Sequence, residues 1–287
     1  PVISLTTDFE GGGGAKGGGY VAQMKAVILA LNADAQLIDV AHDIPPQDVA
    51  AAAWLLRDVA ESFGSHAIHV VVVDPGVGSD RALLAVTTPR GIYLAPDNGV
   101  LTLIIDDFSP IQIRELHESR FWRSPVRPTF HGRDILAPVA GHLSLGVPWD
   151  QLGPPRDEVN RLSIPQPHRN GLELRGEIVR VDSFGNLISN ITRRDLEELV
   201  ADREDASSRP SGTNSSRLEA TGVHVRCGRA CVENLVRCFA DATPGALVAL
   251  VGSADRLEIA VVGGHAADEL GVGLGTNVQV SAAGIEP

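Results

Sequence analysis

The chain has 287 residues, a length that suits one large domain or two smaller ones. Apolar residues make up 44% of it and charged residues 21%, a composition that favours a sizeable core over disorder. The formal net charge of -12 argues against nucleic acid and anionic membranes as partners, because both bind clustered lysine and arginine.

Predicted strands and helices alternate along the first half of the chain. The predicted strands are 2–6, 36–40, 66–73, 83–87 and 91–94, and the predicted helices are 20–31, 47–63 and 134–145. The run 66–73 is apolar on both faces, which is typical of a central strand in a covered sheet. The alternation predicts βαβ units, and therefore an N-terminal α/β domain over 1–165 with a mostly parallel central sheet.

The second half of the chain has a different sequence pattern. Prolines cluster at 154–155 and 165–167 and indicate a connector between domains. Short alternating runs then follow at 173–182, 187–191, 246–251, 257–262 and 277–280. They predict a smaller C-terminal β-barrel domain over 171–287, with a sandwich as the alternative. The polar segment 202–216 between these runs is predicted to be a mobile excursion.

No apolar run reaches the roughly 18 residues of a membrane span, and the start of the chain lacks the basic and apolar regions of a signal peptide. We therefore expect a cytoplasmic protein. The cysteines at 227, 231 and 238 are an odd number in one short stretch, and with His224 they do not give a paired zinc-ligand spacing. Reduced, partly buried thiols without a metal are the prediction.

Asp8 and Asp74 each follow an apolar predicted strand, and ligands of parallel sheets bind beyond the carboxyl ends of strands. Asp8 opens into a glycine-rich run that lacks the lysine and hydroxyl pattern of a phosphate loop. A carboxylate there can accept hydrogen bonds from a ribose diol, or can serve only as a turn or helix cap.

Three further segments carry groups capable of chemistry. Asp74 and Arg81 flank a tight turn and can pair across it, which favours the ionised carboxylate, although a purely structural ion pair is the alternative. His131 precedes a predicted helix and is either a base or polariser of water, or a helix cap. Asp182–Asn186 offers a carboxylate, an aromatic ring and an amide, suited to an adenine and an amino group or to an ordinary hairpin turn.

Taken together, the motifs resemble the SAM hydroxide adenosyltransferase family, the S-adenosyl-L-methionine (SAM) hydrolases, which are related to the 5′-fluorinase and 5′-chlorinase. The resemblance covers nearly the whole chain. Its landmarks, in one order, are TTDF (6–9), YVAQMKAVIL (20–29), DVAHDIPPQD (39–48), HVVVVDPGVGSDR (69–81), APDNGVLT (95–102), TFHGRDILAPVAGHL (129–143), VDSFGNLISNI (181–191) and LEIAVVGGHAA (257–267).

The resemblance implies hydrolysis of SAM at the ribose C5′ carbon to adenosine and L-methionine, without a metal or cofactor. It implies a homotrimer whose sites lie between the N-terminal domain of one subunit and the C-terminal domain of the next. Asp74, Arg81 and His131 would handle the water. The implied substrate contacts are Asp8 for the ribose, Phe184, Asn186 and Gly263 for adenine, Asp182 and Ser253 for the methionine amino group, and Gln47 as a further binding residue.

The residues also separate a hydrolase from a halogenase. The halogenases carry tyrosine where this chain has Asp74 and His131, and the fluorinase has a long insertion where this chain has only the turn 88–90. Gly132 stands where the chlorinase has glycine and the fluorinase has a halide-contacting serine, and by itself it favours neither reading. A 5′-halogenase and a non-catalytic binder of SAM or adenosine are the competing interpretations.

Two departures from the family pattern affect the predicted site. The glycine-rich run 11–19 is longer than the usual loop after TTDF and is predicted to be mobile. Ala254 replaces an arginine that binds the methionine carboxylate in the fluorinase. The sequence leaves open which of Asp74 and His131 takes the proton.

Overall fold

The computed structural model describes residues 1–10, 19–207, 223–233 and 235–282. The chain divides into two compact units, Pro1–Ser163 and Ile164–Pro287. The glycine-rich run 11–18 and residues 208–216 of the predicted polar excursion lie outside the described residues. Residues 202–207 of that excursion are instead the end of a helix.

The first unit is a sheet covered by helices. Its strands are β1 (Val2–Thr7), β2 (Gln36–Ala41), β3 (Ile68–Val72), β4 (Leu83–Thr88), β5 (Gly91–Pro96) and β6 (Gln112–Glu115). Its helices are α1 (Tyr20–Leu31), α2 (Val49–Ala60), α3 (Thr102–Phe108) and α4 (Ala137–Ser144), with a π-helical turn over Gly132–Leu136 leading directly into α4.

The sheet is mixed, so the prediction of a mostly parallel sheet is not confirmed. The strand order is β2-β1-β3-β5-β4-β6. The β2–β1, β1–β3 and β3–β5 pairs are parallel, whereas β4 runs antiparallel to both β5 and β6. The short turn between Thr88 and Gly91 makes a hairpin, and a hairpin forces antiparallel pairing. The α/β character holds, and three of the five strand pairs in the described sheet are parallel.

The buried central strand β3 explains why its sequence is apolar without alternation. Val70 and Val72 pack into the core shared with α1 and α4, while Val71 and Val73 pack into the core on the opposite face. Side chains alternate between the two faces of a strand, so a sheet covered on both faces favours apolar residues throughout its central strands, and His69 is the polar exception in β3.

The second unit is an antiparallel, barrel-like sheet. Its strands are β7 (His168–Asn170), β8 (Glu173–Val181), β9 (Leu187–Thr192), β10 (Val223–Cys227), β11 (Ala230–Val232), β12 (Leu247–Val251), β13 (Arg256–Val261) and β14 (Asn277–Ala282), and its helices are α5 (Arg193–Ser207) and α6 (Ala266–Leu270). Strand β8 pairs with β14 through its first half and with β9 through its second half. That change of partner lets the sheet curl.

Among the described residues, no helix is both long and apolar enough to cross a bilayer. Cys227 is buried, Cys231 and Cys238 are exposed, and all three are free thiols.

A buried histidine in the first sheet makes folding pH-dependent. His69 is fully buried, its Nδ1 lies 2.8 Å from the Ser4 Oγ, and its ring stacks on Tyr93 at 4.7 Å. Burial lowers the pKa of His69 from 6.5 to about 4. The native protein therefore holds this ring neutral under conditions in which an unfolded chain would protonate it.

We expect this histidine to destabilise the protein as the pH falls from about 6.5 to about 4, because in that window the unfolded state binds the extra proton. The stabilisation that comes from the neutral His69 ring is fully present above pH 6.5. At pH 4 the free energy of unfolding is lower by roughly 3 kcal/mol on account of this residue. Urea unfolding of wild type and His69→Phe across this window measures it. The variant should lose less free energy of unfolding on acidification, and equal losses would contradict the assignment.

Candidate functional site

The turn after β3 carries a buried, bidentate ion pair. The Arg81 Nε donates to the Asp74 Oδ1 at 2.6 Å, and the Arg81 Nη2 donates to the Asp74 Oδ2. The two side chains are only 9% and 6% exposed. Such a fork fixes both planar groups in one orientation. The structure thus brings together the two residues that the sequence placed across this turn.

His131 joins this pair from a distant part of the chain. The Arg81 Nη2 lies 3.2 Å from the His131 Nδ1. A guanidinium has donors and no acceptor, so the His131 Nδ1 accepts, and the neutral ring carries its proton on Nε2. Burial and the Arg81 charge lower the pKa of His131 below its usual value of 6.5. The ring is therefore neutral at neutral pH and presents an Nε2–H donor.

The backbone around His131 is held close to β3 by a residue without a side chain. A Cβ on Gly132 would lie 2.9 Å from the Val72 Cγ1, closer than real carbon contacts permit. The π-helical turn Gly132–Leu136 can therefore pack directly against the strand that leads into Asp74. π-helical turns occur frequently at functional sites.

Asp134 has a structural role that the sequence did not reveal. Its side chain is fully buried and accepts hydrogen bonds from the Arg133 Nε at 2.7 Å, the Arg123 Nη1 at 3.2 Å and the Arg127 N at 2.9 Å. Asp134 therefore ties the 123–127 segment to the turn that begins beside His131.

The backbone of Gln47, the other predicted binding residue in the first unit, orients Asp8. The Gln47 backbone N donates to the Asp8 Oδ2 at 2.8 Å, with Gln47 in the left-handed region at φ 67°. Because β1 and β3 are parallel neighbours, with Thr7 opposite Val72, Asp8 and Asp74 both follow the same edge of the sheet.

Three aromatic rings connect the segments that carry Asp8 and His131. Phe9 and Phe130 meet edge to face at 5.8 Å, and Tyr20 packs against both, at 5.4 Å from Phe9 and 5.1 Å from Phe130. Contacts of this kind add roughly 0.5–1.5 kcal/mol each beyond area burial. The aromatic cluster thereby fixes the residue after Asp8 against the residue before His131.

In the second unit, the Asp182 carboxylate organises its own turn. Its Oδ1 accepts from the Phe184 N and the Asn186 N, both at 2.9 Å, and its Oδ2 accepts from the Asn186 Nδ2 at 2.9 Å. A carboxylate has about four lone-pair sites, so about one is left for a ligand. This internal role was not predicted from the sequence.

The same turn presents an aromatic ring to solvent. Phe184 is 72% exposed, whereas Asn186 is buried. Gly185, at φ 81°, packs so closely on His265 that a Cβ would come within 2.2 Å of the imidazole ring. The Ala267 N also donates to the Gly185 carbonyl at 3.0 Å. The turn is therefore supported from behind while its aromatic face stays open.

The last two predicted residues lie at opposite ends of β13. Ser253 is exposed in the turn between β12 and β13, where the Gly252 N donates to the Arg256 carbonyl at 2.9 Å. Gly263 follows β13 with φ 73°. Among the residues that the structure describes, no backbone hydrogen bond joins Ser253 or Gly263 to the Asp182–Asn186 turn.

Two family models match most of this chain. The family models described as the SAM hydroxide adenosyltransferase N-terminal and C-terminal domains match residues 3–153 and 176–279. A relative from Salinispora tropica named (R)-S-adenosyl-L-methionine hydrolase is 34% identical over 98% of both chains. A fluorinase from an Actinoplanes species is 28% identical over 62% of this chain and 69% of its own.

One solved structure extends the comparison to the fold. A crystal structure of an uncharacterized conserved protein from Thermotoga maritima superimposes with a TM-score of 0.84 at 32% identity, covering 97% of this chain and 99% of that one. The likeness therefore spans both units.

Proposed function

This chain belongs to the SAM hydroxide adenosyltransferase family, and we propose that it hydrolyses SAM, attaching a water oxygen to the ribose C5′ carbon and releasing adenosine and L-methionine. The observation that carries this proposal is the buried group formed by Asp74, Arg81 and His131, with its 2.6 Å and 3.2 Å contacts. Its support is the near full-length identity to a relative named as a SAM hydrolase.

The substrate supplies most of the chemical driving force. Its positively charged sulfonium makes C5′ electrophilic and leaves with the bonding electron pair as the neutral thioether of methionine. The new C5′–O bond forms from a water lone pair, and one proton is released. The protein must hold the water in line behind C5′ and exclude competing solvent.

The hydrogen-bond directions support different roles for the two residues that could handle the proton, His131 and Asp74. His131 offers an Nε2–H donor while its Nδ1 is occupied by Arg81. It therefore orients the water by donating to one lone pair, which leaves the other lone pair for attack. Asp74 is the remaining acceptor, because each of its oxygens keeps a lone pair beyond the one used by Arg81.

The substrate contacts follow from the same proposal. Asp8, with Gln47 behind it, holds the ribose hydroxyls. Phe184 stacks on adenine, with Asn186 and Gly263 at the ring edge. Asp182 and Ser253 contact the methionine amino group. The free ring of Phe184 and the oriented Asp8 carboxylate support these roles.

The relative's name narrows the substrate further. A sulfonium with three different substituents is chiral, and the name from Salinispora tropica specifies the R form. We extend that specificity to this chain. A site that holds both the nucleoside and the amino acid sets where the methyl group points, and this distinguishes the two epimers.

Assembly, location and cofactors stay predictions from the sequence. We propose a homotrimer in which one subunit supplies the Asp74 group and the next supplies the Asp182–Asn186 turn. We also propose a cytoplasmic location and a reaction without metal or cofactor. Light scattering of the purified protein tests the assembly, because a trimer has three times the 30.3 kDa mass of one chain.

Product analysis in labelled water tests the activity. Purified protein is incubated with each separated SAM epimer in ¹⁸O-water, with and without excess chloride, and the products are resolved by mass spectrometry. We expect adenosine carrying ¹⁸O at the 5′ position, formed from the R epimer and indifferent to chloride. Asp74→Ala, prepared in the same way, is the control for contaminating activity.

Other results of this incubation would each change the proposal in a specific way. 5′-Chloro-5′-deoxyadenosine would identify a halogenase, and tight binding without product would identify a non-catalytic binder. Faster turnover of the S epimer would overturn only the assigned stereochemistry.

A further inference from the structure

A histidine outside the proposed catalytic group bridges two strands behind Asp8. The His42 Nδ1 lies 3.0 Å from the Thr7 Oγ1, and the His42 Nε2 lies 2.9 Å from the Asp39 Oδ1. The imidazole is only 11% exposed and Thr7 is fully buried. The bridge therefore joins the end of β1 to β2. Its Thr7 end is shielded from water, where hydrogen bonds are worth most, whereas the Asp39 side chain is 47% exposed.

The bridge is needed because the pairing of these two strands is irregular there. Leu5 lies opposite Asp39, but Thr6 lies opposite Ala41, so the register shifts by one residue just before the site. A bulge of this kind re-aims the chain that follows it. His42 spans the bulge and fixes where β1 ends.

The contacts on either side of His42 converge on Asp8. Thr7, whose hydroxyl meets the imidazole, directly precedes Asp8. The Glu10 N donates to the His42 carbonyl at 2.7 Å. The segment that starts at His42 ends at Gln47, whose N donates to the Asp8 Oδ2 at 2.8 Å. The Thr7 side chain before Asp8, the Glu10 backbone after it and the Asp8 carboxylate are thus all tied to the segment 42–47.

We propose that His42 is a positioning residue for substrate binding, which holds the Asp8 carboxylate where it meets the ribose hydroxyls. The inference rests on the proposed function and assigns a role to a residue that does not itself touch the substrate. Its effect falls on affinity for the nucleoside rather than on the chemical step, since Asp8 binds a part of SAM that does not react.

Adenosine binding tests the role without requiring turnover. Calorimetry is compared for wild type, His42→Ala, His42→Asn and Thr7→Val, with His66→Ala as the matched control on an exposed histidine. We expect His42→Ala and Thr7→Val to bind adenosine about tenfold more weakly, the effect of one misaligned hydrogen bond. His42→Asn should recover most of the affinity, because its amide reaches the position of Nδ1 beside Thr7.

Steady-state kinetics with SAM gives a second readout. His42→Ala should raise KM about as much as it weakens adenosine binding, with kcat within about threefold of wild type. Wild-type adenosine affinity in His42→Ala, or affinity in His42→Asn as weak as in His42→Ala, would overturn the role of His42 alone. A wild-type chain that binds neither SAM nor adenosine would overturn the proposed function together with it.

Discussion

Replacing His131 by alanine is expected to lower kcat roughly 10²-fold or more while the dissociation constant for SAM stays close to that of wild type. The substitution removes the Nε2–H donor that we propose orients the water. It leaves the Asp74–Arg81 pair in place, because Arg81 is held by its own two bonds to the carboxylate. Single-turnover kinetics and equilibrium binding separate the two effects.

His131→Gln decides between donation and proton transfer. A glutamine amide can donate a hydrogen bond but cannot take a proton at neutral pH, so a donor role predicts at least about tenfold more activity in His131→Gln than in His131→Ala. Equal, very low activity in both variants would identify His131 as the base. His66→Gln, on an exposed histidine, is the matched control.

The pH profile gives an independent check of the same assignment. Protonation of His131 places a second cation against Arg81 and turns the accepting Nδ1 into a donor, which breaks the contact. Activity should therefore fall as the pH falls. Because burial and Arg81 lower the pKa of His131, the midpoint of this acid limb should lie below 6.5.

Asp134→Ala is expected to lower the free energy of unfolding by roughly 3 kcal/mol, the scale for removing one partner of a buried ion pair. The carboxylate is fully buried and meets Arg133, Arg123 and the Arg127 N. Burial alone would raise the pKa of Asp134, but these donors lower it, so the charged form is the one that stabilises the fold.

A surface ion pair provides the matched control for this prediction. Asp106 pairs with Arg161 at 2.5 Å, but their side chains are 49% and 42% exposed. Asp106→Ala should therefore change the free energy of unfolding by no more than about 1 kcal/mol. Urea unfolding of both variants at pH 7 compares them, and similar losses would show that Asp134 contributes no more than a surface charge.

The sequence by itself determined the features that depend on local order along the chain. The β-branched runs that became β1 and β3, the helix over Tyr20–Leu31 and the short hairpin turn before Gly91 all follow from side-chain period and turn residues. The pairing of Asp74 with Arg81 is of the same kind, because only seven positions and one tight turn separate them.

Other features depend on contacts between distant segments. The short turn 88–90 indicated the antiparallel pairing of β4 with β5. The prediction of a mostly parallel sheet rested instead on the alternation of strands and helices, which does not specify strand direction. The second half of the chain also contains β7 and β11, whose three residues each are too few to show a period. It contains β10 as well, a five-residue alternating run that was not predicted.

Only the tertiary structure decided how the side chains of the candidate site are arranged. Arg81 and His131 are 50 positions apart, and their contact depends on Gly132 packing against Val72. The same holds for Asp134 among its arginines, for Asp182 within its own turn and for His42 behind Asp8. A sequence shows which groups can donate or accept, whereas the packing of distant elements determines which lone pair each donor meets.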